Sequence, residues 1–115
     1  MKIDVTPVLL GFNGKPIQAD NEDGEPVRWT VRKVCCDALL AVRRGDDKLT
    51  GEDKAHRFAL ARRIFEDDSV DFTPEDLALV RKLIGAGFGP AIVGPAWALL
   101  DVVDPEPQPE PQKRG

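Results

Sequence analysis

The sequence has 115 residues, of which 42% are hydrophobic and 31% are charged, and its formal net charge is −4. This length and composition are typical of one soluble globular domain, too small for a cofactor domain together with a substrate domain. An acidic chain lacks the basic surface that drives most nucleic-acid binding, so we do not expect nucleic acid as a partner, although a local basic patch stays open.

The apolar runs of the chain are far shorter than the ~20 residues that a membrane-spanning helix needs. The amino-terminal run also contains a charged residue, so we expect no signal peptide, no membrane segment and no membrane partner. The two cysteines, Cys35 and Cys36, are adjacent in the sequence and cannot link distant parts of the chain by a disulfide. This cysteine usage is typical of a reducing compartment and predicts a cytoplasmic protein.

The first part of the chain predicts β-structure. Residues 2–10 begin with a rough alternation of polar and apolar side chains and include β-branched residues, which predicts a strand. Pro7 favours an edge position for it. Asn13-Gly14 predicts a type I′ hairpin turn with positive φ at both residues, followed by a return strand over residues 16–19. Residues 20–25 predict a polar loop, and residues 26–29 predict a short third strand.

After Thr30 the apolar residues recur with the spacing of a helix. We predict Thr30 as the N-cap of this first helix. Residues 43–48 then end this helix. Its apolar stripe comprises Val31, Val34, Cys35, Ala38, Leu39 and Val42.

A second helix is predicted over residues 51–66, because Thr50 and Asp53 have the spacing of a capping box. Both helices also carry opposite charges four residues apart on their exposed faces. This spacing predicts weakly stabilising ion pairs. These pairs are Lys33 with Asp37, Asp53 with Arg57, and Arg62 with Glu66. The predicted inner face carries Phe58, Ala61, Ile64 and Phe65, with Leu60 at its margin.

A connector over residues 69–72, which could be briefly extended, leads to a third helix. Thr73-Pro74 provides a cap and a proline at the first helical position. We predict that this helix ends at Gly85 and that a fourth helix runs from Pro90 to about Asp101, with Pro95 in it or kinking it. The inward residues of the third helix are predicted to be Leu77, Val80, Leu83 and Ile84.

The carboxyl-terminal residues 105–112 have proline at every second position, which is incompatible with a helix and typical of an extended, solvated segment. We therefore predict one α+β domain over residues 1–103 and a disordered tail rich in Pro, Glu and Gln over residues 104–115. The predicted architecture is an amino-terminal β-hairpin or short meander packed on about four short helices.

The glycine-rich stretch over residues 83–94 invites comparison with a phosphate-binding loop. A dinucleotide fingerprint needs a preceding strand and a third glycine where this chain has Pro90, and no lysine completes a P-loop. We interpret the stretch as a glycine C-cap at Gly85, a short joint and a proline-started helix. No cofactor is therefore expected.

Cysteine and histidine are the remaining candidates for catalytic or metal-binding roles. Cys35 lies on the apolar stripe, whereas Cys36 lies beside Arg32, which could favour its thiolate form. His56, the one histidine, is predicted to be a solvated surface residue. Without a CxxC spacing or a related nucleophile, we expect no catalytic residue, no metal site and no enzymatic activity.

Four residues remain as candidates for binding a partner. Arg43 and Arg44 could form a local basic patch, although antiparallel packing of the first two helices would place Arg62 and Arg63 at the opposite end. Trp29 and Trp97 are large amphipathic groups, of which Trp97 favours core packing, and either could anchor a protein partner.

Several short motifs together resemble small uncharacterised proteins encoded in bacteriophage and prophage morphogenesis regions. The resemblance covers about residues 1–101, while the proline-rich tail and Pro95 look peculiar to this chain. The motifs are GKP at 14–16, ALL at 38–40, LTGEDK at 49–54, FALA at 58–61, VDFTPEDLALVRKLI at 70–84 and PAIVG at 90–94.

The resemblance implies a phage-related protein without enzymatic activity, such as an assembly factor or a tail-associated component. Its partner would then be another phage structural or assembly protein in the cytoplasm of the bacterial host. Two alternatives stay open: a nucleic-acid-associated regulator that uses Arg43 and Arg44, and a small thiol enzyme that uses Cys36.

Overall fold

A computed structural model describes residues 2–20 and 26–100, and these residues form an α+β fold, as predicted. The polar loop was predicted over residues 20–25, but Asp20 belongs to a strand, and residues 21–25 lie outside the described residues, as does the predicted tail at 104–115. Within that part of the chain the strands are β1 (Lys2–Asp4), β2 (Gln18–Asp20), β3 (Pro26–Arg28) and β4 (Ser69–Asp71). The helices are α1 (Val31–Leu40), α2 (Gly51–Glu66), α3 (Pro74–Gly87) and α4 (Pro90–Leu100), with a 3₁₀ turn at Asp46–Lys48.

The strands form two small antiparallel sheets. β1 pairs with β4, with Ile3 opposite Val70, and β2 pairs with β3, with Ala19 opposite Val27. The third strand is therefore confirmed, and the predicted connector before α3 is extended. The sequence pattern did not indicate that β1 and β4, which are far apart in the chain, would be partners.

The single long strand predicted over residues 2–10 is wrong, because this segment divides between two sets of partners. β1 ends at Asp4, whose Oδ1 accepts hydrogen bonds from the backbone N and the Oγ1 of Thr6 at 2.9 and 2.7 Å. Beyond it, Leu9 donates to the Trp29 carbonyl at 2.8 Å and accepts from Ile17 at 3.0 Å. The segment after β1 thus crosses to the other sheet.

The hairpin turn is present, but the predicted type I′ geometry is wrong. Gly14 has φ of 76°, whereas no non-glycine residue of the described chain has positive φ, so Asn13 does not adopt it. Gly11 exchanges hydrogen bonds with Gly14 and Lys15, both at 2.9 Å, around a three-residue loop. This pattern is typical of a type I turn followed by a left-handed glycine.

α1 begins as predicted, with the Thr30 Oγ1 accepting from the Lys33 backbone N at 3.1 Å. It ends at Leu40, so the prediction that the helix includes Val42 is wrong. Asp46 Oδ2 accepts from the Arg43 backbone N at 2.7 Å, and Gly45 has φ of 94°, which together turn the chain away from the helix. Val42 is consequently 92% exposed.

α2 begins with the predicted capping box, in which Thr50 and Asp53 each bond the other's backbone N, at 3.0 and 3.2 Å. Helices α1 and α2 are antiparallel, because the side chain of Arg32 near the start of α1 bonds the carbonyls of Ile64 and Asp67 at the end of α2. This is the arrangement that would place Arg43 and Arg44 at the opposite end from Arg62 and Arg63.

The start of α3 is confirmed, since Thr73 Oγ1 accepts from the Asp76 backbone N at 3.0 Å and Pro74 occupies the first helical position. The predicted end at Gly85 is wrong. The helix continues to Gly87, and the C-cap is Phe88 in extended conformation. The glycines therefore serve a purpose other than capping.

Two of these glycines allow side chains to lie directly on α3. A Cβ at Gly85 would lie 3.1 Å from Cζ2 of Trp97, and a Cβ at Gly87 would lie 2.7 Å from Nη2 of Arg43. The absence of a side chain at both positions thus permits α4 and the loop after α1 to approach α3. α4 includes Pro95, as predicted.

One hydrophobic core joins the sheet β1–β4 to the helices. All four inward residues predicted for α3 are buried in it. Its largest fully buried side chains are Phe72, Leu9, Leu60, Ile64, Ile84 and Leu100. Within the described part of the chain, every helix is too short or too polar to cross a membrane.

Candidate functional site

Helix α2 carries more apolar surface than the fold buries. Successive residues of an α-helix are rotated by about 100°, so Leu60 and Ile64 lie on one side of Ala61 while Phe58 and Phe65 lie on the other. The core takes the first side, where Leu60, Ala61 and Ile64 are at most 3% exposed. The prediction that Phe58 and Phe65 face inward is therefore wrong: they are 58% and 72% exposed.

The two phenylalanines border an open groove between α1 and α2. One part of the groove, about 210 Å³, is lined by Cys36, Leu40, Phe58, Ala61, Arg62 and Phe65. A larger part, about 650 Å³, continues past Leu40 and Phe58 along the loop over residues 41–49. We call these two adjoining parts the α1–α2 groove.

The floor of the α1–α2 groove is apolar and accessible. Leu40 is 53% exposed, and Val42 beside it is almost fully exposed. Large apolar side chains that are exposed singly are ordinary on protein surfaces, but a contiguous set that lines a concave surface is typical of an interaction site. The groove therefore has the form of a docking surface for an apolar partner.

The larger part of the groove is also bordered by charge. Its lining includes the cations Arg44, Lys54 and Arg57 and the acids Asp46 and Asp47. Among the described residues, no ion pair forms with any of these three cations. The predicted pair of Asp53 with Arg57 is replaced by the role of Asp53 in the capping box, whereas the other two predicted pairs form.

Arg43 also lines the groove, but its guanidinium is committed to the fold. Nη1 donates to the Ala38 carbonyl at 3.0 Å, and Nη2 donates to the Leu83 carbonyl at 3.2 Å. These carbonyls belong to the last turns of α1 and α3, where the helix dipole favours a cation. Of the predicted pair Arg43 and Arg44, the second is therefore the one exposed to a partner.

The other two arginines considered for a basic patch lie at the opposite end of α2. Arg62 bonds Glu66, with Nε and Oε2 3.1 Å apart, and Arg63 donates to the Asp71 carbonyl at 2.8 Å. One contiguous patch of all four arginines is therefore not formed.

The two tryptophans are half-buried and lie outside the groove lining. Trp29 makes an edge-to-face contact with Phe88, with ring centroids 5.4 Å apart, and Lys33 Nζ lies 4.9 Å from the centre of its ring. Trp97 donates from Nε1 to the Arg81 carbonyl at 3.1 Å. Both rings thus have partners within the chain, and their use as anchors for another protein stays a prediction.

The cysteines lie on either side of the boundary between core and groove. Burial raises the pKa of Cys35 to about 12. Cys36 is half-buried, and its Sγ donates to the Ala61 carbonyl at 3.4 Å. Burial and the nearby Asp37 carboxylate raise the pKa of Cys36, and outweigh Arg32, which lowers it. This environment favours the thiol over the nucleophilic thiolate.

His56 has a partner that the sequence did not indicate. Its Nε2 lies 2.7 Å from Oδ1 of Asp76, although more than half of the His56 side chain is exposed. The expectation of a purely solvated histidine therefore needs correction: the ring links α2 to the first turn of α3. Within the described residues, neither a cysteine thiol nor a serine hydroxyl is hydrogen-bonded to this pair.

The described residues contain no group of three or more His, Cys, Asp or Glu side chains that could hold a metal ion. Comparison of the chain with protein-family models, with curated proteins and with solved structures found no match. Inference about function therefore rests on the structure of this chain alone. Its main feature is the α1–α2 groove, which combines exposed apolar side chains with a concave shape.

The sequence contained a signal for this groove that our interpretation missed. The apolar residues of α2 form two stripes that share Ala61, and one stripe is enough to attach a helix to a core. Our interpretation joined Ile64 to the phenylalanine stripe and placed Leu60 at the margin, although Leu60 and Ile64 form the buried stripe. A helix with two apolar stripes indicates an exposed apolar surface.

Proposed function

We propose that the protein is a non-enzymatic protein-binding module that docks a partner in the α1–α2 groove. One observation carries the proposal: Phe58 and Phe65 are largely exposed on the same side of α2 and, with Leu40, line a continuous concave surface. Full burial of one such side chain by a partner contributes about 1.5–3 kcal/mol, so a few of them can support specific binding.

The biological setting that we propose is phage particle or tail assembly in a bacterial host cell. Its support is the resemblance of motifs along residues 1–101 to proteins of phage morphogenesis regions. The partner would be another phage structural or assembly protein. Assembly factors act by binding, and an exposed apolar groove suits that role without a catalytic centre.

The experiment is capture of partners from prophage-induced cells with the tagged full chain, followed by mass spectrometry of what co-elutes at low and high salt. The test variant is Phe58→Gln with Phe65→Gln, because glutamine keeps helix propensity and removes the apolar surface. The control is Phe12→Gln, which removes a fully exposed phenylalanine from the hairpin, away from the groove.

We expect a phage structural or assembly protein to co-elute with the wild type and with Phe12→Gln, and to be lost with the double variant. Circular dichroism and thermal unfolding of each variant establish that it is folded. Capture of the same phage protein by the folded double variant would refute the groove as the docking site. Absence of any phage protein from the wild-type eluate would refute the assembly role.

A second candidate is a nucleic-acid-associated regulator, favoured by the three groove cations that form no ion pair with described residues. It gains little from Arg43, whose guanidinium bonds two helix ends. This candidate predicts nucleic-acid binding that collapses with added salt and with Arg44→Gln, because counterion release supplies its affinity. Salt-resistant capture of a protein and no shift with oligonucleotides would exclude it.

A further inference from the structure

The charges around the α1–α2 groove indicate the chemistry of its occupant. Lys54 and Arg57 stand on α2 before Phe58, and Arg44 lies on the loop that forms the other wall. Counted over the lining of the larger part, including Arg43, four side chains are basic and two are acidic. The chain as a whole has the opposite sign, with a net charge of −4.

The two acids of the lining offset only part of this local positive charge. Asp46 Oδ2 already accepts from the Arg43 backbone N at 2.7 Å, and Asp47 is exposed on the 3₁₀ turn. Arg44, Lys54 and Arg57 therefore keep donors available for carboxylates of a partner. Complementary charge at the rim of an apolar site sets partner choice and orientation more than raw affinity.

The groove also constrains the backbone of its occupant. Helix side chains line the smaller part, and none of the four described strands lines either part, so the groove presents no strand edge to which an extended peptide could pair. Backbone polar groups placed on an apolar floor must find their hydrogen bonds elsewhere. A helix satisfies them within itself, and an amphipathic helix in a groove is a common recognition mode.

We infer that the α1–α2 groove binds an amphipathic helix of a partner protein, whose apolar stripe lies on Leu40, Phe58 and Phe65 and whose flanking carboxylates pair with Arg44, Lys54 and Arg57. This inference rests on the proposed function, because it names the partner chemistry of the same groove.

The test uses two synthetic helical peptides with the same leucine stripe, one flanked by glutamates and the other by lysines. Fluorescence anisotropy measures the affinity of the full chain for each peptide at low and at high salt. We expect the glutamate peptide to bind about tenfold or more tightly than the lysine peptide at low salt, with the difference shrinking at high salt.

Three variants test whether the preference arises in the groove. Lys54→Glu with Arg57→Glu is expected to abolish or reverse the preference for the glutamate peptide. Lys82→Glu, at an exposed position of α3 outside the groove lining, reverses one charge as a control and should leave the preference unchanged. Phe58→Gln is expected to weaken both peptides alike, because it removes the shared apolar contact.

The failures of the inference and of the proposed function are distinguishable. Equal affinity for both peptides, still weakened by Phe58→Gln, would overturn the acidic-helix inference and leave the groove as a protein-binding site. No binding of either peptide, or displacement of the peptide by a single-stranded oligonucleotide, would overturn the inference too. A dimer seen by light scattering and dissociated by Phe58→Gln would also overturn the inference, because the groove would then be occupied by a second copy of the chain.

Discussion

Arg43 and Leu83 are joined by a hydrogen bond of 3.2 Å, from the guanidinium Nη2 to the backbone carbonyl, across the ends of two helices. The same guanidinium bonds the Ala38 carbonyl in the last turn of α1. Cations are favourable near the carboxyl-terminal ends of helices, where unpaired carbonyls carry partial negative charge. Arg43 therefore fixes α1 against α3 and shapes the end of the groove that its neighbour Arg44 lines.

Replacing Arg43 tests this role. Arg43→Met keeps most of the apolar stem and removes both hydrogen bonds, so we expect the free energy of unfolding to fall by about 2 kcal/mol. Urea unfolding followed by circular dichroism measures the change. Arg44→Met is the adjacent control and should stay within about 0.5 kcal/mol of the wild type. Equal effects of the two substitutions would contradict the assignment.

Gly85 tests the close contact between α3 and α4. Alanine favours a helix over glycine, but its Cβ would lie 3.1 Å from Cζ2 of Trp97, whose ring is held by its bond to the Arg81 carbonyl. We expect Gly85→Ala to destabilise the protein by about 1 kcal/mol, because the ring must move. Gly51→Ala, in open space on α2, should stabilise it by up to about 0.5 kcal/mol. Thermal unfolding compares the two, and stabilisation by Gly85→Ala would show that the ring moves freely.

The buried thiol of Cys35 predicts a dependence of stability on alkaline pH. Its pKa is raised from 9.0 to about 12 in the folded protein, so the folded state holds its proton where the unfolded state loses it. The stabilisation is complete below about pH 9 and is lost as the pH rises towards 12. The expected loss between pH 8 and about 10.5 is about 1–2 kcal/mol.

The measurement for Cys35 is urea unfolding of the wild type and of Cys35→Ala across this pH range. Other groups titrate in the same range, so the readout is the difference between the two proteins. The wild type should lose its advantage as the pH rises. A difference that is constant with pH would mean that the Cys35 thiol ionises equally in both states.

The contact between His56 and Asp76 predicts a modest coupling between α2 and α3. The pair is close, at 2.7 Å, but the histidine side chain is 56% exposed and solvent screens the interaction. We expect a double-mutant cycle with His56→Ala and Asp76→Ala to give a coupling free energy of about 0.5–1 kcal/mol. Additive effects of the two substitutions would show that the contact contributes nothing to stability.

The local signals of the sequence predicted the helices well. Thr30, Thr50 and Thr73 cap the helices that follow them, because each cap depends on residues within one turn. The errors arose where distant residues decide the outcome. The pairing of β1 with β4 and the extension of α3 past Gly85 depend on partners far along the chain.

The candidate site was harder to predict for the same reason. Whether Phe58 or Leu60 faces the core depends on which stripe of α2 meets the other elements, and both stripes were apolar. Arg43 and Arg44 are adjacent in the sequence, and nothing local to them indicates that Arg43 bonds the ends of two helices. The predicted binding residues Trp29, Arg44 and Trp97 stay untested as partner contacts.

A chemical-shift map by nuclear magnetic resonance, of the labelled full chain with and without the purified captured partner, would locate the docking site residue by residue. Docking of the partner in the α1–α2 groove should give shift changes concentrated at residues 36–44 and 54–65, with little change at the hairpin around Phe12. Shift changes confined to the hairpin and α4, with the groove unaffected, would contradict it.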